Sequence, residues 1–351
     1  MADMMRAVRM VTDFDIEKGI PAQVGLVTVP KPEIVQDDDV LIRVAYSSIC
    51  GSDPHILRGI FPDARAPRPM GHEMSGWVEA LGSKATEKGL KIGDRVTGDF
   101  VMPCHACDYC QSGMPQFCVD LKKRGSAQAD YVVWSESQVY RIPDNLSMQQ
   151  AALTEPFNIA FHAVEVSEMR PGTDVAVCGA GGIGLMLIAV AKSCGASSVT
   201  VLEPVEAKRE LAKKMGADFA IDPITEDVSS RAREITNGLG YACVFEASGN
   251  GASAANALKI AAKQAHVVYM AMYQSKFELP VNLFHYFYQN EIRLQGMFLA
   301  QGSMKRAIGL LSRLDLSAVI SKVYPLEDCV QAYQDQVSGN YAKLMFEVNK
   351  A

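Results

Sequence analysis

The sequence predicts an α/β protein in two parts, a doubly wound parallel sheet beside a compact antiparallel β unit. Residues 173–271 alternate β-rich runs with helical patterns at the period of βαβ units, whereas residues 22–151 read as short strands broken by turns. Size agrees: 351 residues, 48% of them hydrophobic, supply a core for each of about two domains. In the first part strands are expected at 23–29, 39–47, 73–81, 94–99 and 131–134, where Val and Ile alternate with polar residues and Pro30, Pro32, Gly82, Gly93 and Gly98 mark the breaks. In the second, strands are expected at 174–178, 198–202, 219–222, 241–246 and 266–271, with helices at 182–193, 205–215, 228–236 and 252–262. From Glu291 the chain returns to strand and helix patterns and ends in a strand at 343–348, placed to rejoin the first part.

Composition narrows the function classes. A net charge of −6 leaves no excess of positive charge for a polyphosphate partner, so whole-chain nucleic-acid binding is disfavoured. Apolar stretches such as 181–190 fall short of the roughly 18–20 residues that span a bilayer, and no membrane partner is expected. Residues 1–10 carry Asp3, Arg6 and Arg9 and no apolar h-region, so the expected compartment is the cytoplasm.

Val175-Ala176-Val177-Cys178 runs straight into Gly179-Ala180-Gly181-Gly182-Ile183-Gly184, with the spacing G-x-G-x-x-G. The first glycine permits a tight turn, the second lets the backbone approach a pyrophosphate, and the third lets helix pack closely on strand. The helix N-terminus offers unpaired N–H groups to the anion. Glu203 closes the next strand about twenty residues on, where a carboxylate binds a ribose 2′-hydroxyl. That charge repels a 2′-phosphate, so NAD is favoured over NADP, with Lys208 and Arg209 tempering the preference. The alternative is a glycine turn that holds no dinucleotide.

Of nine cysteines, Cys104, Cys107, Cys110 and Cys118 crowd one loop, which in a reducing compartment points to metal rather than disulfides. Four thiolates satisfy a tetrahedral structural zinc and leave no position for substrate. His105 reads as a bystander. Lys122, Lys123 and Arg124 follow the cluster, but three loop charges read as solvated rather than as a nucleic-acid ribbon. A dispersed constellation comprises Cys50-Gly51-Ser52-Asp53-Pro54-His55, Gly71-His72-Glu73 and Glu155-Pro156. Catalytic zinc takes about three protein ligands and keeps a position open, and Cys50 and His72 suit it, with Glu73 or Glu155 third. Spacing alone does not bring these residues together. Singly, Cys50 reads equally as a small buried hydrophobe, His72 as a satisfied histidine beside a turn, and Glu155 as a residue near a helix start.

With the order of motifs complete (Cys50-Gly-Ser-Asp-x-His55, Gly71-His72-Glu73, the four-cysteine lobe, Glu155-Pro156 with His162-Ala163, and Val177-x-Gly-x-Gly-x-x-Gly184), the chain resembles the zinc-dependent medium-chain dehydrogenase/reductase family over nearly all its length. Within it the likeness is to the sorbitol, butanediol and threonine dehydrogenase branch, because Glu155 stands where other alcohol dehydrogenases place a second catalytic-zinc cysteine. The resemblance implies a Rossmann dinucleotide-binding domain over 158–290, and a GroES-like β-barrel catalytic domain built from 1–157 and 291–351. It implies two zinc ions per chain: a structural one on Cys104, Cys107, Cys110 and Cys118, and a catalytic one on Cys50, His72 and a carboxylate, Glu73 or Glu155. Asp53 matches the carboxylate that orients the ligand histidine, Ser52 the hydroxyl that takes the alcohol's proton, and His55 the imidazole that passes it to solvent. A homotetramer or homodimer is expected on the same ground.

The substrate pocket departs from the pattern. Polyol-specific members place a tyrosine and an arginine where this chain has Ile56 and, reading on from Phe298, Leu299. Losing two donors penalises dry hydroxyls, so a secondary alcohol with fewer hydroxyls, or a differently held sugar or cyclitol, is favoured over sorbitol. The aromatic run 284–288 reads as core. Two further readings compete with an NAD-dependent alcohol or polyol dehydrogenase: an epimerase or double-bond reductase using the same cofactor, and a non-catalytic oligomeric binding protein on the same fold.

Overall fold

The chain opens with strand β1 (Met4–Met10), which pairs antiparallel with β2 (Val24–Pro30). β3 (Asp39–Ser48) is buried along most of its length and leads through Ile49 into the short helix α1 (Ser52–Leu57). Then come β4 (Glu73–Leu81), β5 (Arg95–Gly98), β6 (Tyr131–Ser135) and β7 (Val139–Arg141). β3 takes β4 on one edge, and it also pairs with β6. A computed structural model describes residues 3–61, 63–87 and 89–350. The first two residues and Ala351, at the ends of the segments expected for the first domain, lie outside the described residues.

Helix α2 (Thr154–Val166) is followed by the alternation read from the sequence: β8 (Asp174–Cys178), α3 (Gly182–Ser193), β9 (Ser198–Leu202), α4 (Glu206–Lys214), β10 (Phe219–Ile221), α5 (Val228–Ile235), β11 (Tyr241–Glu246), α6 (Gly251–Lys259), β12 (Ala261–Tyr269) and β13 (Arg293–Gly296). These six strands form one parallel sheet in the order β10-β9-β8-β11-β12-β13. Helix α3 is apolar and buried from Gly184 to Ala191, whereas α4 is mostly polar and turns only Ala212 fully inward. Asp227 and Asn250 cap α5 and α6 by accepting from backbone amides of the first turn.

The chain ends with α7 (Met304–Leu311), β14 (Ile320–Pro325), α8 (Cys329–Ser338) and β15 (Lys343–Glu347). β15 returns to pair antiparallel with β3, as the sequence suggested, but its pairing with β14 is parallel. The chain divides into two compact units, one of residues Met1–Pro156 and Gln301–Ala351 and one of Phe157–Ala300. The fold is α/β, and among the described residues no helix is long and apolar enough to cross a membrane.

Three differences have physical causes. The return expected at 291 comes at 301, because β13 completes the parallel sheet against β12, with Val267 opposite Leu294. The helix expected over 252–262 ends at Lys259: Ala261 opens β12 by pairing with Tyr241 at the start of β11, and ladder bonds override alanine's helix preference. The aromatic run at 284–288 is not core. It forms a π-helical turn with Phe284 62% and Tyr288 78% exposed, and Tyr286 is its member packed on the second unit's core.

Candidate functional site

The antiparallel register of β3 and β4 sets Ser48 opposite Glu73. Running past that pair, β3 delivers Cys50, while the residue entering β4 is His72. Donor atoms of Cys50, His72 and Glu73 thereby come within 4.8 Å of one another, although 22 positions separate the first two in sequence. The turn before β4 depends on Gly71, whose φ is +81° and whose missing Cβ would stand 2.5 Å from Cγ of Gln128.

β15 adds a residue the sequence reading missed. Met345 faces Ser48, and Ile49 donates its N–H to the Leu344 carbonyl, so Lys343 arrives level with Cys50. Its Nζ donates to Glu73 at 2.6 Å, and Ser48 Oγ also donates to the Glu73 carboxylate. Burial favours the neutral amine, but the neighbouring Glu73 and Cys50 outweigh it and raise the Lys343 pKa.

Several acids around this point are pushed toward their neutral forms. Burial, then Glu73, raises the Cys50 thiol to about 12. Burial likewise raises Asp53, with His72 opposing it, and raises Glu155 well above the ordinary range. Asp99, also missed, is raised by burial to about 6 while accepting from the Val101 amide and from Nε2 of Gln301. Glu155 lies near the three-donor group electrostatically without belonging to it. A group of buried acids that resist ionising is what a divalent cation relieves, and converging S, N and O donors fit zinc.

The second group fits zinc more completely. Sulfurs of Cys104, Cys107, Cys110 and Cys118 lie within 4.8 Å of one another. A tetrahedron with Zn–S bonds of about 2.3 Å has edges of about 3.8 Å. The Cys107–Cys110 and Cys104–Cys110 separations are 3.6 and 4.0 Å. Amides of Ala106 and Cys107 point at Cys104 Sγ, at 3.4 and 3.3 Å, as they would toward a thiolate. His105 is outside the group.

The proposed relay residues sit on α1. Ser52 is half-buried at its start, with its amide 3.4 Å from Cys50 Sγ. His55 is partly buried, its Nδ1 has no partner among the described residues, and burial followed by Arg58 holds its pKa below the ordinary value. Ile56 packs against the first unit's core.

In the second unit, Gly179 turns with φ +104° and Gly181 caps α3 beside open space. A Cβ on Gly184 would stand 2.0 Å from the Gly179 carbonyl oxygen, so strand and helix meet there only through glycine. The cradle and the unpaired N–H groups of the first turn fit a pyrophosphate. The Glu203 carboxylate accepts from Ala180 N at 2.8 Å and Val205 N at 3.0 Å, which leaves lone pairs on both oxygens for a ribose hydroxyl. Arg209 is turned to the carbonyls of Glu203 and Pro204, at 2.7 Å each, and pairs with Asp222. Phe298 is exposed and Leu299 is held at φ +54°, both beyond β13.

Comparison with known proteins follows the same division. The family described as alcohol dehydrogenase GroES-like domain matches residues 36–144, and the one described as zinc-binding dehydrogenase matches 182–313. The chain is 33% identical over 343 residues to D-arabitol-phosphate dehydrogenase of Enterococcus avium, covering 93% of this chain and 94% of that one. It is 31% identical over 322 residues to sorbitol dehydrogenase of Bacillus subtilis, covering 89% and 90%. Among solved structures, a Sinorhizobium meliloti protein crystallised with NADP superposes with a TM-score of 0.89 at 28% identity, covering 99% of this chain and all of that one.

Proposed function

Because the chain belongs to the zinc-dependent medium-chain dehydrogenase family, we propose that it oxidises a secondary alcohol of the polyol, sugar or cyclitol class to a ketone, reversibly, with hydride passing to NAD. It is an oxidoreductase whose cofactors are zinc and a nicotinamide dinucleotide. In this reading Cys50, His72 and Glu73 hold the catalytic ion, with Glu155 beside it directly or through water, and the four-cysteine lobe holds the structural one. Gly179, Gly181, Gly182, Ile183, Gly184 and Glu203 hold the dinucleotide. The observation that carries the reading is the convergence of Cys50, His72 and Glu73 donor atoms within 4.8 Å.

When bound, the ion supplies Lewis acidity that lowers an alcohol's pKa, and the dinucleotide supplies the two-electron acceptor. The chain's own residues do the rest. Ser52 Oγ takes the alcohol's proton and His55 moves it to solvent, its lowered pKa keeping the ring neutral and able to accept. Asp53 holds His72 in orientation. Glu203 accepts from the ribose 2′-hydroxyl and repels a 2′-phosphate, which favours NAD, although one relative binds NADP. Ile56 and Leu299 offer no donor, which favours a substrate whose hydroxyls are fewer than those of sorbitol or are held elsewhere.

The test is a screen of NAD+ and NADP+ reduction over diols, polyols and their phosphates, cyclitols, sugars and hydroxysteroids, with zinc counted per chain. Reduction by one of these classes and two zinc ions per chain are expected. One zinc ion and no reduction by any class would refute the reading. A homotetramer or homodimer in the cytoplasm belongs to the same proposal, and light scattering reads its mass.

A further inference from the structure

Behind the three donors lies a tier of buried polar side chains, of which the reaction above uses Asp53 and gives Tyr333 and Gln128 no role. Asp53 is 1% exposed and accepts from the Cys50 amide at 3.1 Å. Tyr333, on α8, is 3% exposed; its hydroxyl donates to Oε1 of Gln128 at 2.9 Å and lies within hydrogen-bonding reach of the Asp53 carboxyl. Gln128 is wholly buried, and its backbone nitrogen and Cγ occupy the space that a side chain at Gly71 would need, 2.9 and 2.5 Å from such a Cβ. It therefore packs on the turn that presents His72. Its Nε2 has no hydrogen-bond partner among the described residues.

Two features of this tier conflict. A buried amide donor without an acceptor is costly, and the phenol has one proton for two acceptors. One rearrangement relieves both. Oxygen and nitrogen of an amide have nearly the same shape, so a half-turn of the Gln128 amide directs Nε2–H to the Tyr333 oxygen and frees the phenol proton for Asp53. The unpaired atom is then a carbonyl oxygen, which structures tolerate more readily than an unpaired N–H.

We propose that Tyr333 is a positioning residue for the Cys50-His72-Glu73 site, the middle of a chain running from Gln128 through Tyr333 to the Asp53 carboxylate behind His72. The inference rests on the metal-site reading above. Asp53 already accepts from the Cys50 amide, and a second donor, the Tyr333 phenol, fixes the orientation of its carboxyl behind the donor group. Removing an outer partner of this kind typically costs 10–100-fold in metal affinity.

The test uses Tyr333→Phe, which keeps the ring, and Gln128→Met, which keeps the volume while removing the amide, beside the wild-type holoprotein. Zinc retained against graded chelator is measured per chain, and the three proteins are reloaded with cobalt(II) for absorption spectra. One of the two zinc ions should leave Tyr333→Phe at roughly tenfold lower chelator concentration. The four-cysteine ion should stay, the cobalt–thiolate band from Cys50 should shift, and Gln128→Met should move in the same direction. Two ions in the wild type with unchanged chelator midpoints and cobalt spectra in both variants would overturn this inference alone. A wild type holding a single zinc would overturn the metal-site reading and this inference with it.

Discussion

Replacing Lys343 by methionine strands a carboxylate in the interior of the first unit. Lys343 is 5% exposed, Glu73 is fully buried, and Nζ stands 2.6 Å from the carboxylate. At an effective dielectric of about 20, charges at that separation attract by about 6 kcal/mol, an attraction that goes mainly to offset desolvation. The cost of Lys343→Met is therefore set by the charge left behind, about 3–5 kcal/mol. Because the Lys343 pKa is raised, its contribution is present at neutral pH and fades only as pH climbs past the ordinary lysine range. Adding Glu73→Gln removes the stranded charge, keeps an acceptor for Ser48, and should recover most of the loss. Zinc supplies a substitute cation, so loading the ion should stabilise Lys343→Met more than it stabilises the wild type. Urea unfolding of metal-free and zinc-loaded forms, for both single variants and the double, measures each quantity. A metal-free Lys343→Met within about 1 kcal/mol of wild type, or a double variant no more stable than the single, would refute the pairing argument.

Other perturbations separate the remaining parts of the site. Ser52→Ala should keep its zinc and its affinity for dinucleotide while kcat falls by about 10²–10⁴-fold, and a near-normal kcat would remove Ser52 from the relay. Gly184→Ala forces a Cβ to within 2.0 Å of the Gly179 carbonyl oxygen. Dinucleotide affinity, read by fluorescence titration, should drop by at least about 100-fold with zinc content unchanged, and an unaltered Kd would show that the turn does not serve the cofactor. Since burial and then Arg58 lower the His55 pKa, more than half of the imidazole is already neutral at a pH equal to the ordinary histidine value. The acid limb of kcat should then lie below about pH 6.5, and a limb above that value would exclude His55 as its origin.

What could be read in advance was what the chain brings together locally. The four cysteines share one loop, and the glycine turn links a strand to the helix it opens, so spacing and chemistry point the same way. Cys50, His72 and Glu73 are different: their meeting depends on Ser48 facing Glu73 across β3 and β4, and a register shift of one residue would turn these side chains to the other face. Family resemblance suggested the meeting where spacing could not. Lys343 lies 270 positions from Glu73, and Tyr333 lies 205 from Gln128. In the sequence they are a lysine opening a terminal strand and a tyrosine in a helix, with nothing to mark them as partners of the site. Burying a charge or a phenol is costly until its partner is in place, so each reveals its role only when the closing strand and helix return to the first half of the unit. The donors and the glycine turn therefore specify which chemistry is available, while the groups that hold those donors come from long-range pairing. A substitution among the latter should alter metal affinity and stability before it alters the kind of reaction performed.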